Sequence, residues 1–138
     1  MKIKILYALT LLVFSGTFIR AADTLDEKGF QKLMKEVGKA AKDSKNNQQS
    51  KNAAVVEKDS ARVAEIYTQM AAFWKARKTD DAAKLSEESA AAASATAAAA
   101  KAGDWDKVKT SWGTVGQNRK GCHEKHREKL DDGSYKIK

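Results

Sequence analysis

Near the C-terminal end of this chain a cysteine and a histidine stand side by side, in the run Val115-Gly116-Gln117-Asn118-Arg119-Lys120-Gly121-Cys122-His123-Glu124-Lys125-His126-Arg127. Cys-His is the second half of C-x-x-C-H, the pattern by which a c-type haem is bonded to a polypeptide. The spacing has a chemical reason. Thiols three residues apart share one face of a helix and can each bond a vinyl group, while the next residue, about 100° further round, can bring an imidazole to the iron. In this chain the first thiol position is occupied by Arg119, and Cys122 is the single cysteine. Any covalent attachment would therefore use one sulfur.

Other chemistry is open to the same residues. An odd cysteine in an exported chain is free, paired between chains, or used covalently in another way. Without a cofactor, the cations Arg119, Lys120, His123 and Lys125 would favour the thiolate and make Cys122 a redox-active or intermolecular disulfide cysteine. A zinc site from Cys122, His123 and His126 is disfavoured, because residues 122 and 123 diverge by about 100° and no fourth ligand is evident. His126 itself is expected at the surface. An unpartnered guanidinium facing a bundle core costs several kcal/mol in principle, so Arg119 is expected to reach solvent or a carboxylate.

The elements that would position these residues are helical. The chain has 138 residues, no proline and much alanine, which suits one domain of continuous helices. Thr24-Leu25-Asp26-Glu27 has the form of a capping box. A first helix then runs to about Lys45, with Phe30, Leu33, Met34, Val37, Ala40 and Ala41 as its apolar stripe. The polar segment Asp43 to Asn52 lacks periodicity and reads as a loop. A second helix spans roughly Ala53 to Lys78, with Val56, Val63, Ile66, Tyr67, Met70, Phe73 and Trp74 along its buried side. Thr79-Asp80-Asp81 opens a third helix that ends at Ala102, and ten of the thirteen residues from Ala90 to Ala102 are alanine. Gly103 stops it, Asp104 caps the next, and a fourth helix runs from Trp105 to about Leu130. The tail, Asp131 to Lys138, reads as frayed. Four amphipathic helices with short connections predict an all-α, antiparallel up-down-up-down four-helix bundle.

Residues 1–22 read as a secretory signal peptide, with Lys2 and Lys4 before an apolar run from Ile5 to Phe14 and small residues Ala21-Ala22 at its close. The run is too short to span a bilayer easily, and Arg20 interrupts its continuation, so no membrane association is expected after cleavage. The mature domain is then 23–138. Cleavage removes three basic residues and no acid, lowering the net charge from +8 to +5. The remaining lysines are spread over every helix without interleaved aromatics, so nucleic acid is not expected as a partner. Nothing resembles a catalytic triad, a carboxylate pair in a cleft or a phosphate loop, and no enzyme activity is expected.

With the helices placed, the mature chain resembles the class II c-type cytochromes, the cytochrome c prime family. The resemblance rests on the alanine-rich stretch and turn Ala97-Ala98-Ala99-Ala100-Lys101-Ala102-Gly103-Asp104, on Val115-Gly116, Cys122-His123 and Arg127, and on Phe30-Gln31-Lys32-Leu33-Met34 with Gly38 near the N-terminus. It implies one haem c inside the bundle. His123 is then the proximal iron ligand, Cys122 the single thioether anchor, Met34 a distal ligand, and Arg127 a basic residue close to the ring. Gly38, on the Met34 face, leaves room for a flat ring, and Trp112 is the tryptophan expected to contact it. Departures from the family pattern are Arg119 for the first cysteine, Phe30 for an arginine, His126 for an aromatic residue, and a shorter connection between the second and third helices.

The functional expectation is a periplasmic monohaem cytochrome carrying single electrons between redox proteins. A gas-binding protein with an open distal face (NO or CO) is the second reading, and a haem-free bundle used for protein contacts the third. The resemblance also implies a homodimer through the first two helices, although Lys35, Lys39, Lys42, Lys58 and Arg62 crowd that surface with charge.

Overall fold

The computed structural model describes residues 25–138. The expected signal peptide and the Thr24 cap lie outside them. Four helices follow one another: α1 (Glu27–Gln49), α2 (Ala53–Ala76), α3 (Asp80–Ala102) and α4 (Trp105–His126). A short antiparallel hairpin, β1 (Arg127–Lys129) and β2 (Tyr135–Ile137), closes the chain.

Cross-helix pairs fix the direction of each neighbour. Glu36 and Glu27 on α1 meet Arg62 and Arg77 on or just after α2, so these two helices run in opposite senses. Glu57 and Lys75 on α2 face Lys101 and Glu87 on α3, and Thr96 and Asp81 on α3 face Ser111 and His126 on α4. Each step reverses the chain. The turns are tight: Lys51 and Lys78 take positive φ between helices, and Gly103 adopts the left-handed cap at φ 74° that glycine accommodates without a Cβ penalty.

The alanine run explains the closest seam. Ala82, Ala93 and Ala100 are fully covered, and their small side chains let α3 lie tightly against α2. The main core is then filled by the larger residues of α2, Val63, Ile66, Met70 and Trp74, with Phe30 and Val37 from α1 and Val115 from α4. A second cluster, Val56, Ala99, Ala100 and Val108 with Trp105 at its edge, closes the far end. Helix α1 is the loosest member. It leans on α2 and scarcely approaches α4, which leaves an open seam between the two.

Three boundaries differ from the sequence reading. Helix α1 continues through Gln49, so the expected loop shrinks to Ser50–Asn52. Its last turns are polar all round because little lies against them there, and Lys and Gln are adequate helix formers. The cap is Asp26, whose carboxylate accepts from Gly29 N at 2.6 Å; a Cβ at residue 29 would crowd Leu25 and Asp26. At the other end α4 stops at His126 and the expected frayed tail pairs as the hairpin. Asp132 caps the turn by accepting from Ser134 N, and Gly133 takes φ 80°.

Candidate functional site

The open α1–α4 seam forms a cleft of about 510 Å³. Met34 and Gly38 line it from α1, Arg119, Cys122 and His123 from α4, and Arg127 from β1. Residues 81 positions or more apart in sequence thus meet on one surface. The hairpin forms its rim. Gln31 Nε2 on α1 donates to Tyr135 O at 3.4 Å, and Lys138 N donates to His126 O at 3.1 Å, so the tail bridges the two helices across the seam. Ile137 packs against the main core from there.

Trp112 is the exception. It lies toward the other end of α1, near Ala40 and Ser44, outside the cleft. The tryptophan that lines the cleft is Trp74 of α2. It stacks edge-on to Phe30 (5.3 Å between centroids) and Phe73 (5.2 Å), and His126 lies against it at 5.3 Å. Phe30 is therefore a core residue, 6% exposed. His126 is not the surface residue expected. It packs against Trp74 while its Nε2 meets Asp81 Oδ2 at 3.1 Å.

His123 is half-buried, and Arg127 Nη1 lies 3.1 Å from its Nδ1. A guanidinium can only donate, so Nδ1 is the acceptor and the ring proton sits on Nε2. Burial, with the charges of Arg127 and Arg119, pushes the imidazole down to about 4, so it is neutral at physiological pH. The Arg127 guanidinium also lies 3.5 Å over the Tyr135 ring.

Cys122 behaves differently from the sequence expectation. Lys125 is turned to Asp81 and Lys120 to Glu124, so the nearby lysines have other partners. Burial and the Asp81 charge push the thiol up to about 11, and it is protonated at neutral pH. The activated thiolate predicted from adjacent cations is not formed. Arg119 finds no carboxylate among the described residues but is part-exposed on the open grooves, the solvent outcome of the two expected for it. Its Nε is buried without a partner, while its side chain also borders the outer groove beside Gly116 and Lys120. A Cβ on Gly38 would meet Arg119 Nη2 at 3.7 Å, an ordinary van der Waals contact, so the guanidinium lies directly over this position.

Behind Cys122 the cleft continues into a small inner chamber of about 20 Å³, walled by residues of all four helices. Sequence reasoning did not single out two of its residues, Tyr67 and Asn118. Tyr67 is 4% exposed with its hydroxyl unpartnered, and burial pushes it up to about 12. The signal available in sequence was a tyrosine within an otherwise apolar stripe, whose hydroxyl must find a partner. Among the described residues no group of three or more His, Cys, Asp or Glu side chains could hold a metal ion by itself, so the zinc alternative has no support. No described helix is long and apolar enough to cross a membrane. No protein-family model, curated protein or solved structure matches this chain.

Proposed function

We propose that this protein is a periplasmic c-type cytochrome of the cytochrome c prime kind, which holds one haem by a single thioether and carries single electrons between redox partners. The observation that carries the reading is convergence: Met34 from α1 and Cys122-His123 from α4 line one cleft. Its volume lies within the range of about 300–1,000 Å³ usual for cofactor sites. Phe30, Trp74 and Ile137 supply apolar walls, and the imidazole is neutral, as ligation requires.

In this reading the chain's own residues do four things. His123 presents a ring nitrogen to the metal, and Met34 offers a soft thioether on the α1 side. Cys122, on the same face of α4, would tether the ring through its sulfur as a thioether. Arg127 must release Nδ1 of His123, because a metal-ligating histidine ordinarily donates from its second nitrogen; the Tyr135 ring already holds the guanidinium from its other side. When bound, the haem supplies the one-electron couple of its iron. The antiparallel bundle and the export signal at residues 1–22 agree with the same family and compartment.

The test is the absorption of the ferrous protein, matured in a host that assembles c-type cytochromes, before and after CO. A Met34-ligated iron gives sharp low-spin bands and little response to CO. A large CO-induced change would instead assign the protein to gas binding. A colourless protein would exclude both.

A further inference from the structure

Lysines and arginines run along the whole sequence, but the fold gathers their excess charge at one end of the molecule. Six of them, Lys35, Arg119, Lys120, Arg127, Lys129 and Lys136, line the cleft and the outer groove that adjoins it, and Glu124 is the single acid among the lining residues. With histidines neutral these side chains carry a net +5, whereas residues 25–138 as a whole hold 23 basic and 17 acidic residues, a net +6. The rest of the described chain is close to neutral. Of the six, only Lys120 and Lys136 pair with a carboxylate among the described residues, Glu124 and Glu128, and such exposed pairs contribute little. A second observation marks the same face. Tyr135 is the one exposed large apolar side chain among the described residues, at 42%, and it borders both grooves with the Arg127 guanidinium 3.5 Å from its ring centroid. Tyrosine and arginine are the residue types in which protein interfaces are enriched and on which their binding energy concentrates.

From this we infer that the face built by the end of α4 and the hairpin docks an acidic protein, whose aspartates and glutamates enter the outer groove while an apolar residue covers Tyr135. Opposite charge steers such a partner to this face, and the aromatic anchor holds it there. The outer groove, about 600 Å³, is concave and admits a protruding acidic loop, whereas a flat anionic bilayer would meet only its rim. A nucleic acid fits less well, because Arg127 already covers one face of the Tyr135 ring and no second large aromatic side chain lines the outer groove for bases to stack on. The inference deepens the electron-carrier reading by giving its partner a chemistry: His123 lines both grooves, so the docked protein stands at the edge of the cofactor site. Only that last step rests on the haem reading. The docking itself follows from charge and shape.

The experiment prepares the full chain twice, matured in a host that assembles c-type cytochromes and made without that maturation. Each preparation is titrated into a dye-labelled, soluble oligopeptide of glutamate, aspartate and leucine, followed by fluorescence anisotropy. Saturable binding is expected in both, weakening by about tenfold or more from low to physiological salt. Lys120→Glu combined with Lys129→Glu should weaken it by about tenfold or more, whereas Lys58→Glu combined with Lys84→Glu, the same change of net charge at exposed positions outside both grooves, should alter it by about twofold or less. Tyr135→Ala should weaken binding several-fold and leave its salt dependence unchanged. Equal losses in the two lysine pairs would reduce the effect to net charge, and an absence of saturable binding would remove the docking face; either result overturns the proposal. Sedimentation with phosphatidylglycerol vesicles that captured the chain through Lys120 and Lys129, while the peptide stayed unbound, would assign the face to a lipid surface and overturn it as well. A colourless protein that still binds the peptide at this face would uphold the docking surface and sink the haem reading alone.

Discussion

At the scale of single residues, the environment reverses what the letters suggest. Cys122 sits in a lysine- and arginine-rich segment, yet burial outweighs those charges and the thiol is pushed up to about 11. In the haem-free chain, iodoacetamide at pH 7.5 is therefore expected to alkylate Cys122 at least about tenfold more slowly than a free cysteine, with the rate climbing toward pH 11. Rapid alkylation, measured by mass spectrometry, would show an activated thiolate instead. Half a motif singled out Cys122 and His123, and the resemblance to class II c-type cytochromes implied that Met34, Gly38 and Arg127 would join them, as they do in the cleft. That Tyr67, Asn118 and Arg119 bury unpaired atoms was not legible, since which donors stay unpaired depends on how the four helices abut.

At the scale of elements, the helices α2 and α3 carry the architecture and α1 and the hairpin carry access. The fully covered Ala93 sits where α3 meets α2, so Ala93→Leu should destabilise the fold by about 1–3 kcal/mol through overpacking, whereas Leu at exposed Ala98 should cost little. Denaturant midpoints compare the two. Asp81 ties the first turn of α3 to the end of α4 through His126 and Lys125, and these contacts hold its carboxyl below the ordinary value of 3.8. An acid kept more readily deprotonated by the fold stabilises it above that value, and the stabilisation is lost as pH falls below it. Thermal melts from pH 6 to pH 3 should accordingly show a smaller acid-induced loss in Asp81→Asn than in the natural chain. Helix number, order and all but the ends were readable, because the 3.6-residue stripe is strong in α2 and capping residues mark α3 and α4. The hairpin was overlooked although Asp132-Gly133 is a turn signal between short strands. Its residues are mostly exposed, so no alternation of apolar residues announced it.

At the scale of the whole molecule, the bundle is asymmetric. Three helices close around a packed core, and the fourth edge is held apart, bridged at one end by the hairpin through Gln31 and Tyr135. A cleft placed on that seam can take a flat ring without disturbing the α2–α3 contact on which the fold depends. Substituting cysteine for Arg119 restores the second thiol at the correct helical spacing, and would show by a change from one thioether to two whether the ring lies as proposed.

The most direct measurement of the central claim is a denaturing gel of the protein matured in a host that assembles c-type cytochromes, stained for haem peroxidase activity. A stained band at the mass of the mature chain, lost in Cys122→Ser, is the predicted result. An unstained band from a well-expressed, folded protein would contradict it.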